Sequence, residues 1–112
     1  MAITCFIRDQ IDPSQSAAFA AYAQAWAGII PRCGGDLRGD FVPHAGRNDI
    51  AWGLIGFDSL AADERYRAVM QADPDGRANF ERARTGRCIL RERRSGLEDV
   101  EGTLAIVREV AR

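Results

Sequence analysis

Residues 50–57 read IAWGLIGF, and this run decides the fold because it is apolar on both of the faces that a strand presents. Its length fits a strand, and its β-branched and aromatic content favours a strand over a segment of buried helix. A strand that is apolar on both sides belongs inside a sheet whose two faces are both covered. We therefore predict a buried central strand here.

Three further segments have the composition of strands. The segment ITCFIR at 3–8 is rich in β-branched and aromatic residues, and DLRGDFV at 36–42 alternates like a half-exposed edge strand. CILRERR at 88–94 alternates as well. Residues 43–49 join the edge strand to the central strand and contain mostly turn-forming residues, which predicts a hairpin.

Two helical regions lie between these strands. After Asp12, apolar side chains recur every three or four residues from 19 to 30, which predicts an amphipathic helix. A second helical region follows Ser59 and restarts at Pro74, because a proline is favoured at the first position of a helix.

The resulting order of elements is β-α-β-β-α-β. This order is typical of a ferredoxin-like α+β fold, which has an antiparallel sheet, strands one and three in its centre, and the helices on one face. We assign residues 1–97 to this domain and residues 98–112 to a C-terminal extension. In the extension, Leu104, Val107 and Val110 permit a short amphipathic helix.

This fold predicts a homodimer. The helices cover only one face of the sheet, whereas the two central strands carry apolar side chains on both faces. An exposed apolar face of that size is unfavourable in water. The same face of a second copy is the simplest cover, and it forms a two-fold dimer.

The charge balance excludes several classes of partner. The formal net charge is -1, so the chain lacks the basic field that binds nucleic acid or an anionic membrane, although all 15 basic residues are arginine. No secretory signal opens the sequence, and no apolar run reaches the ~20 residues that span a bilayer. We expect a cytoplasmic protein with neither nucleic acid nor membrane as its partner.

The cysteines predict no metal site. Cys5, Cys33 and Cys88 are odd in number and widely separated, which fits neither a disulfide framework nor a metal knuckle. We expect reduced thiols, no bound metal and no cofactor. Haem is a weak alternative, because the single histidine precedes a strand instead of lying on a helix.

Three stretches together resemble a known family. They are PHAGRNDIAWGLIGF at 43–57, DSLAADERYRAVMQADPDGRANF at 58–80 and RCILRERR at 87–94, and they resemble the NIPSNAP family of the dimeric α/β-barrel superfamily. The resemblance covers roughly residues 3–96. It implies a ferredoxin-like protomer whose sheet packs against its mate to close a barrel. The wider superfamily includes cofactor-free monooxygenases, haem-degrading enzymes and small-molecule-sensing domains, so the resemblance alone implies no particular reaction.

His44 is the candidate catalytic residue. It is the only histidine, and it lies in the loop before the central strand. Histidine can take up or release a proton near neutral pH, and loops often carry functional groups. The alternative is structural, with Pro43 and Gly46 shaping the turn while His44 forms a hydrogen bond across it.

Trp52, Arg8 and Arg91 are the candidate substrate-binding residues. Trp52 lies beside Gly53 and Gly56, whose missing side chains leave room either for a ligand against the indole or for a bulky helix residue. Arg8 and Arg91 lie on neighbouring strands, where they can converge on a carboxylate or an enolate-like oxyanion. Salt bridges to nearby acids are the alternative.

Two functional hypotheses follow. In the first, a small, partly aromatic or anionic molecule binds in a pocket between helices and sheet, near Trp52 and held by Arg8 or Arg91, and His44 moves a proton. The superfamily resemblance then suggests a cofactor-independent monooxygenase-like or isomerase-like reaction. In the second, the domain is a non-catalytic interaction or sensing module. The sequence leaves open whether the protein is an enzyme.

Overall fold

The computed structural model describes residues 1–103 as one four-stranded sheet and three helices. In chain order the elements are β1 (Ile3–Ile11), α1 (Ser16–Arg32), β2 (Asp36–Phe41), β3 (Ile50–Phe57), α2 (Leu60–Ala72), α3 (Pro74–Gly86) and β4 (Ile89–Glu98). The predicted ferredoxin-like α+β fold is confirmed. The helix predicted around Leu104 lies outside the described residues.

The strand order across the sheet is β2-β3-β1-β4, and every neighbouring pair is antiparallel. The two strands expected in the centre are therefore in the centre. β1 and β4 extend beyond the predicted 3–8 and 88–94, because pairing continues along the whole of β1. Ile3 pairs with Glu98 at one end, and Ile11 pairs with Ile89 at the other.

Side-chain caps explain where the helices begin. The Asp12 carboxylate accepts hydrogen bonds from the backbone N–H and the hydroxyl of Ser14, and a short 3₁₀ turn then leads into α1. Ser59 Oγ accepts from the N–H of Ala62 at the start of α2. Such caps satisfy donors that the first helical turn leaves unpaired. None of the helices within residues 1–103 is long and apolar enough to cross a membrane.

The core lies between the helices and one face of the sheet. Strand side chains alternate between faces, so Ile7 and Ile11 of β1 and Ile55 and Phe57 of β3 all face the helices and are buried. The apolar stripe predicted for α1 packs onto them, and its buried members are Phe19, Tyr22, Ala23, Trp26, Ile29 and Ile30. Each large side chain buried there contributes about 2 kcal/mol.

Polar contacts hold α3 against α1. The fully buried Asn79 donates from Nδ2 to the backbone carbonyl of Tyr22 over 3.0 Å. Arg32 at the end of α1 donates to both carboxylate oxygens of Asp73, the residue that caps α3, over 2.8 and 2.9 Å.

An aromatic contact also joins α3 to α1, because the Phe80 ring lies 4.8 Å from the Trp26 ring, measured between centroids. These contacts place Phe80 at the edge of the core.

The other face of the sheet is only partly covered in the single chain. Trp52 is 37% exposed, and Phe41 and Leu97 on the flanking strands are more exposed still. Burial of β3 on both sides, which the sequence predicts, therefore holds only in part in this chain, because Trp52 and Leu54 stay partly exposed on the side away from the helices whereas Ile50 is buried there. We refer to this second surface, formed by Phe6, Phe41, Trp52, Leu54 and Leu97, as the open face.

Two glycine substitutions test this packing. A Cβ at position 35 would lie 2.8 Å from Ile30 Cγ2 and 3.0 Å from Tyr66 Cε1, so Gly35→Ala should destabilise the fold by about 1–3 kcal/mol through overpacking. Gly28 lies inside α1 with nothing within 4 Å of the same position. Gly28→Ala should therefore stabilise by about 0.5–1 kcal/mol through helix propensity. Urea denaturation measures both, and equal effects would contradict the packing described.

Candidate functional site

A cavity lies between the helices and the sheet. Its aromatic wall is formed by Phe19, Tyr22, Trp26, Tyr66 and Phe80, and its polar floor by Asp9, Asp40, Glu92 and Arg94. The space open to the centre of a water molecule is about 30 Å³. In this conformation the cavity therefore has room for about one or two waters.

Strand register brings the four charged groups together. Asp9 lies between Ile7 and Ile11 in the inward-facing series of β1 and pairs with Glu92 of β4, while Ile7 pairs with Arg94. Asp40 of β2 reaches the same space over Gly53, where a Cβ would lie 2.7 Å from Asp40 Oδ1. A larger residue at position 53 would displace that carboxylate.

Asp9 is the most unusual member of this group. It is only 6% exposed, and its Oδ1 has no hydrogen-bond partner among residues 1–103. Burial, together with the hydrogen bond and charge of Glu92, raises the pKa of Asp9 to about 8. At neutral pH Asp9 is therefore mostly a neutral carboxylic acid.

Glu92 has the opposite preference. Burial alone would raise its pKa, but the hydrogen bond from Asp9 and the nearby Arg94 guanidinium outweigh burial and lower the pKa of Glu92. Arg94 donates from Nε to Glu92 Oε1 over 3.0 Å. The Glu92 side chain is 30% exposed, so it lies nearer the solvent than Asp9. The pair thus shares one proton and one negative charge at neutral pH, and the raised pKa of Asp9 favours the proton on Asp9.

Asp40 is the member of the polar floor contributed by the edge strand β2, and it is exposed to solvent. Desolvation raises its pKa to about 6, which leaves it mostly ionised at neutral pH. Burial raises the pKa of Tyr22 and Tyr66 on the opposite wall, so both phenols remain protonated. The cavity therefore contains an acid, a base and neutral hydroxyl groups within an apolar surround.

The predicted site residues lie elsewhere. His44, Arg8 and Trp52 line one groove on the open face, where the space open to the centre of a water molecule is about 540 Å³. The Arg8 guanidinium carbon lies 5.9 Å from the centre of the Trp52 ring, and Phe6 meets that ring edge-on at 5.1 Å. Arg91 is opposite Gln10, on the same side of the sheet as Arg8, but does not line the groove.

The expected pocket and the expected residues are thus on opposite sides of the sheet. Trp52 is out of phase with the inward-facing Ala51 and Gly53 of β3, so it cannot line the helix–sheet cavity. Nor do the glycines open space beside its ring, since Gly53 accommodates Asp40 and Gly56 accommodates Arg38. The roles of His44, Trp52, Arg8 and Arg91 toward a ligand stay predictions, and those of His44, Trp52 and Arg8 concern the groove.

Sequence reasoning missed Asp9, Asp40, Glu92 and Arg94 as a cluster. One signal was available for Asp9, because it occurs in phase with Ile7 and Ile11 and must therefore face the core. Its partners come from β2 and β4, far away in the chain. Among residues 1–103 no group of three or more histidine, cysteine or acidic side chains is arranged to hold a metal ion.

Comparison with known proteins agrees with this architecture. The model of the NIPSNAP family matches residues 6–101. The chain belongs to the NIPSNAP family. No curated protein sequence matches it.

Solved structures share the fold at low sequence identity. A NIPSNAP-like domain protein from Burkholderia xenovorans is 21% identical with a TM-score of 0.74, and the alignment covers 95% of this chain and 91% of that one. A NIPSNAP family protein from Agrobacterium tumefaciens is 17% identical with a TM-score of 0.77, over 91% and 96% of the two chains. A candidate antibiotic biosynthesis monooxygenase from Caulobacter crescentus is 13% identical with a TM-score of 0.69, over 89% and 91%. At these identities the likeness shows the fold alone.

The pKa of Asp9 predicts a pH-dependent stability. Because it rises from 3.8 to about 8 on folding, the folded state binds more protons between these values, and this contribution to stability is lost as pH rises through that window. Asp9→Asn cannot ionise. The free energy of unfolding of this variant, minus that of the wild type, should therefore increase from pH 5 to 8 by up to about 1 kcal/mol per pH unit.

Urea denaturation at several pH values measures this difference. Asp73→Asn is the matched control with the opposite sign, because hydrogen bonds from Arg32 lower the pKa of Asp73 and its contribution is lost as pH falls. Parallel pH profiles for the wild type and Asp9→Asn would show that Asp9 ionises normally in the folded protein.

Proposed function

We propose that this NIPSNAP domain is a homodimer that binds a small, partly aromatic molecule in the helix–sheet cavity and transfers a proton there. The observation that carries the proposal is the Asp9 oxygen that is buried beside the cavity without a hydrogen-bond partner among residues 1–103. A buried polar atom without a partner is costly, and a ligand in the cavity could supply one.

Proton transfer is the chemistry that the polar floor favours. Two carboxyl groups whose environments push their pKa values apart can serve as acid and base in one reaction. Asp9 and Glu92 are such a pair. Isomerisation and cofactor-independent oxygenation both use a proton transfer of this kind. The fold shared with a candidate antibiotic biosynthesis monooxygenase is compatible with the second class but identifies no reaction.

A ligand must widen the cavity to enter it. Phe80 lines the cavity and is 42% exposed, so its ring is the least enclosed part of the aromatic wall. Asn79 and Arg32 hold the backbone of α3 in place. Rotation of the Phe80 side chain is therefore the proposed first step of entry.

The open face supports the homodimer. Phe6, Trp52 and Leu54 are neighbours there across β1 and β3, and Phe41 and Leu97 continue the apolar surface onto the edge strands. A second copy would remove this surface from water, which is the main driving force of stable dimers.

A charge placed on this face should prevent the dimer. We expect the wild type to sediment as a dimer and Leu54→Glu to sediment as a monomer, since a carboxylate at Leu54 would be buried at the interface. Leu60→Glu is the matched control, because Leu60 is 55% exposed on α2. Sedimentation velocity measures both. A monomeric wild type at micromolar concentration would remove the homodimer from the proposal.

An anionic ligand is better suited to the groove than to the cavity. The cavity contains three acidic groups and one guanidinium, whereas the groove contains Arg8 beside the Trp52 ring and His44 in its loop. If the open face also forms the dimer, such an anion would bind near the edge of the interface. This arrangement keeps Arg8 and Trp52 as proposed ligand-binding residues and His44 as the proposed proton-transfer residue at a second position, and Arg91 lies on the same face outside the groove.

Substitution of one aromatic residue on each side of the sheet distinguishes the two positions. Binding of a panel of small aromatic molecules, measured by ligand-observed NMR, should change at least about tenfold in Phe80→Ala if they occupy the cavity, because the mouth is widened. Trp52→Ala should leave that binding unchanged. The reverse pattern, together with a loss in His44→Ala, would assign the ligand to the groove.

The second candidate function is a non-catalytic interaction or sensing module. The small free volume of the cavity, about 30 Å³, favours this alternative, because a closed cavity needs no ligand. It predicts that no member of the aromatic panel binds on either side of the sheet, and that the open face accounts for all recognition.

A further inference from the structure

We infer that the cavity acts on an uncharged carbonyl compound with an adjacent C–H bond, with Asp9 as the acid at the carbonyl oxygen and Glu92 as the base at the carbon. This inference rests on the proposed function, because it names the substrate class of the same cavity. It assigns the reaction as keto–enol tautomerisation.

The position of the two carboxyl groups supports these roles. Asp9 and Glu92 are directly opposite each other on neighbouring strands, and both line the cavity. Asp9 is buried on the floor, while Glu92 is partly exposed and held by Arg94 Nε at 3.0 Å. A neutral acid on the floor and a charged base nearer the mouth can contact two adjacent atoms of one ligand.

The charges of the lining exclude an anionic ligand from the cavity. With Asp9 protonated, the carboxylates of Asp40 and Glu92 and the guanidinium of Arg94 leave one negative charge. Tyr22 on α1 and Tyr66 on α2 add only neutral hydroxyl groups, and α3 contributes only Phe80. A second negative charge in this weakly solvated space would be repelled.

The aromatic wall suits a ligand built around one ring. Trp26 is flanked by Tyr22 at 5.5 Å and by Phe80 at 4.8 Å between ring centres. The first contact is edge-to-face and the second is tilted, and aromatic contacts of this kind add to the burial of a further aromatic ring. The carbonyl of such a ligand would then be directed at the polar floor.

The proton step balances without any further reactant. Glu92 takes the proton from the carbon beside the carbonyl, and the electron pair of that C–H bond forms the carbon–carbon double bond of the enol. The carbonyl oxygen takes the proton of Asp9. The pair holds one proton before and after the step, and the hydrogen bond between Glu92 and Asp9 returns the proton to Asp9.

Ligand binding would itself strengthen the base. At rest the hydrogen bond from Asp9 helps to lower the pKa of Glu92. When the carbonyl oxygen accepts that hydrogen bond instead, Glu92 loses this stabilisation of its charged form and becomes a better proton acceptor. The base is therefore activated only when a carbonyl group is in place.

Three probes that share the indane ring system test the inference. They are 2-indanone, which has the carbonyl and acidic C–H bonds, indane, which lacks the carbonyl, and indane-2-carboxylate, which is charged. We expect the two uncharged probes to bind and the carboxylate not to bind. In D₂O the protein should also exchange the C–H hydrogens of 2-indanone for deuterium, as measured by proton NMR.

Substitutions then separate chemistry from binding. Asp9→Asn and Glu92→Gln should each reduce the exchange rate at least about 100-fold while indane still binds. Glu81→Gln is the control, because Glu81 is an exposed residue of α3 that pairs with Arg84. The exchange rate should fall above about pH 8, where Asp9 loses its proton, and at low pH, where Glu92 gains one.

The outcomes distinguish the two proposals. If neither indane nor 2-indanone binds, small-molecule binding in the cavity is refuted and this inference fails with it. If both bind but the wild type does not accelerate exchange, or Asp9→Asn exchanges as fast as the wild type, the acid and base roles are wrong while binding stands. Equal binding of indane-2-carboxylate would overturn the assignment of an uncharged substrate.

Discussion

The structure depends on the pairing of β1 with a neighbour on each of its edges. From Ile3 to Gln10 this strand pairs with β3 on one edge and with β4 on the other. Because strand side chains alternate with a period of two, this register decides which residues face the helices. A slip of one residue would exchange the inward-facing Asp9 for Arg8 and remove Ile7 from the core.

The same register places different pairs of charged side chains on the two sides of β1. Toward the helices, Asp9 meets Glu92 and Ile7 meets Arg94; on the open face, Arg8 meets Arg93. Like charges directly opposite each other are unfavourable, so the pairing of Arg8 with Arg93 adds no stability to the open face. The helix side compensates for its buried acid by keeping Asp9 protonated. Both arrangements cost stability.

The environment of Asp9 explains why a small domain can contain a buried acid. An ionised carboxylate without a partner would be far more costly in this core than a neutral one. Sharing a proton with Glu92, which Arg94 neutralises in turn, limits the charge buried to one partly solvated ion pair. The Asp9 oxygen that remains without a partner is the part of this cost that nothing within residues 1–103 offsets.

The sequence by itself determined the fold, because the signals for its elements are local. They are the apolar run at 50–57, the helical periodicity from 19 to 30, the serine before α2 and the proline that begins α3. It also supported the NIPSNAP resemblance. Only the tertiary structure decided the site. Asp9 and Glu92 are 83 residues apart in the chain, and their proximity follows from the register of β1 with β4. The pKa of a carboxyl group depends on burial and on neighbouring charges, and both arise only when distant strands and helices pack together.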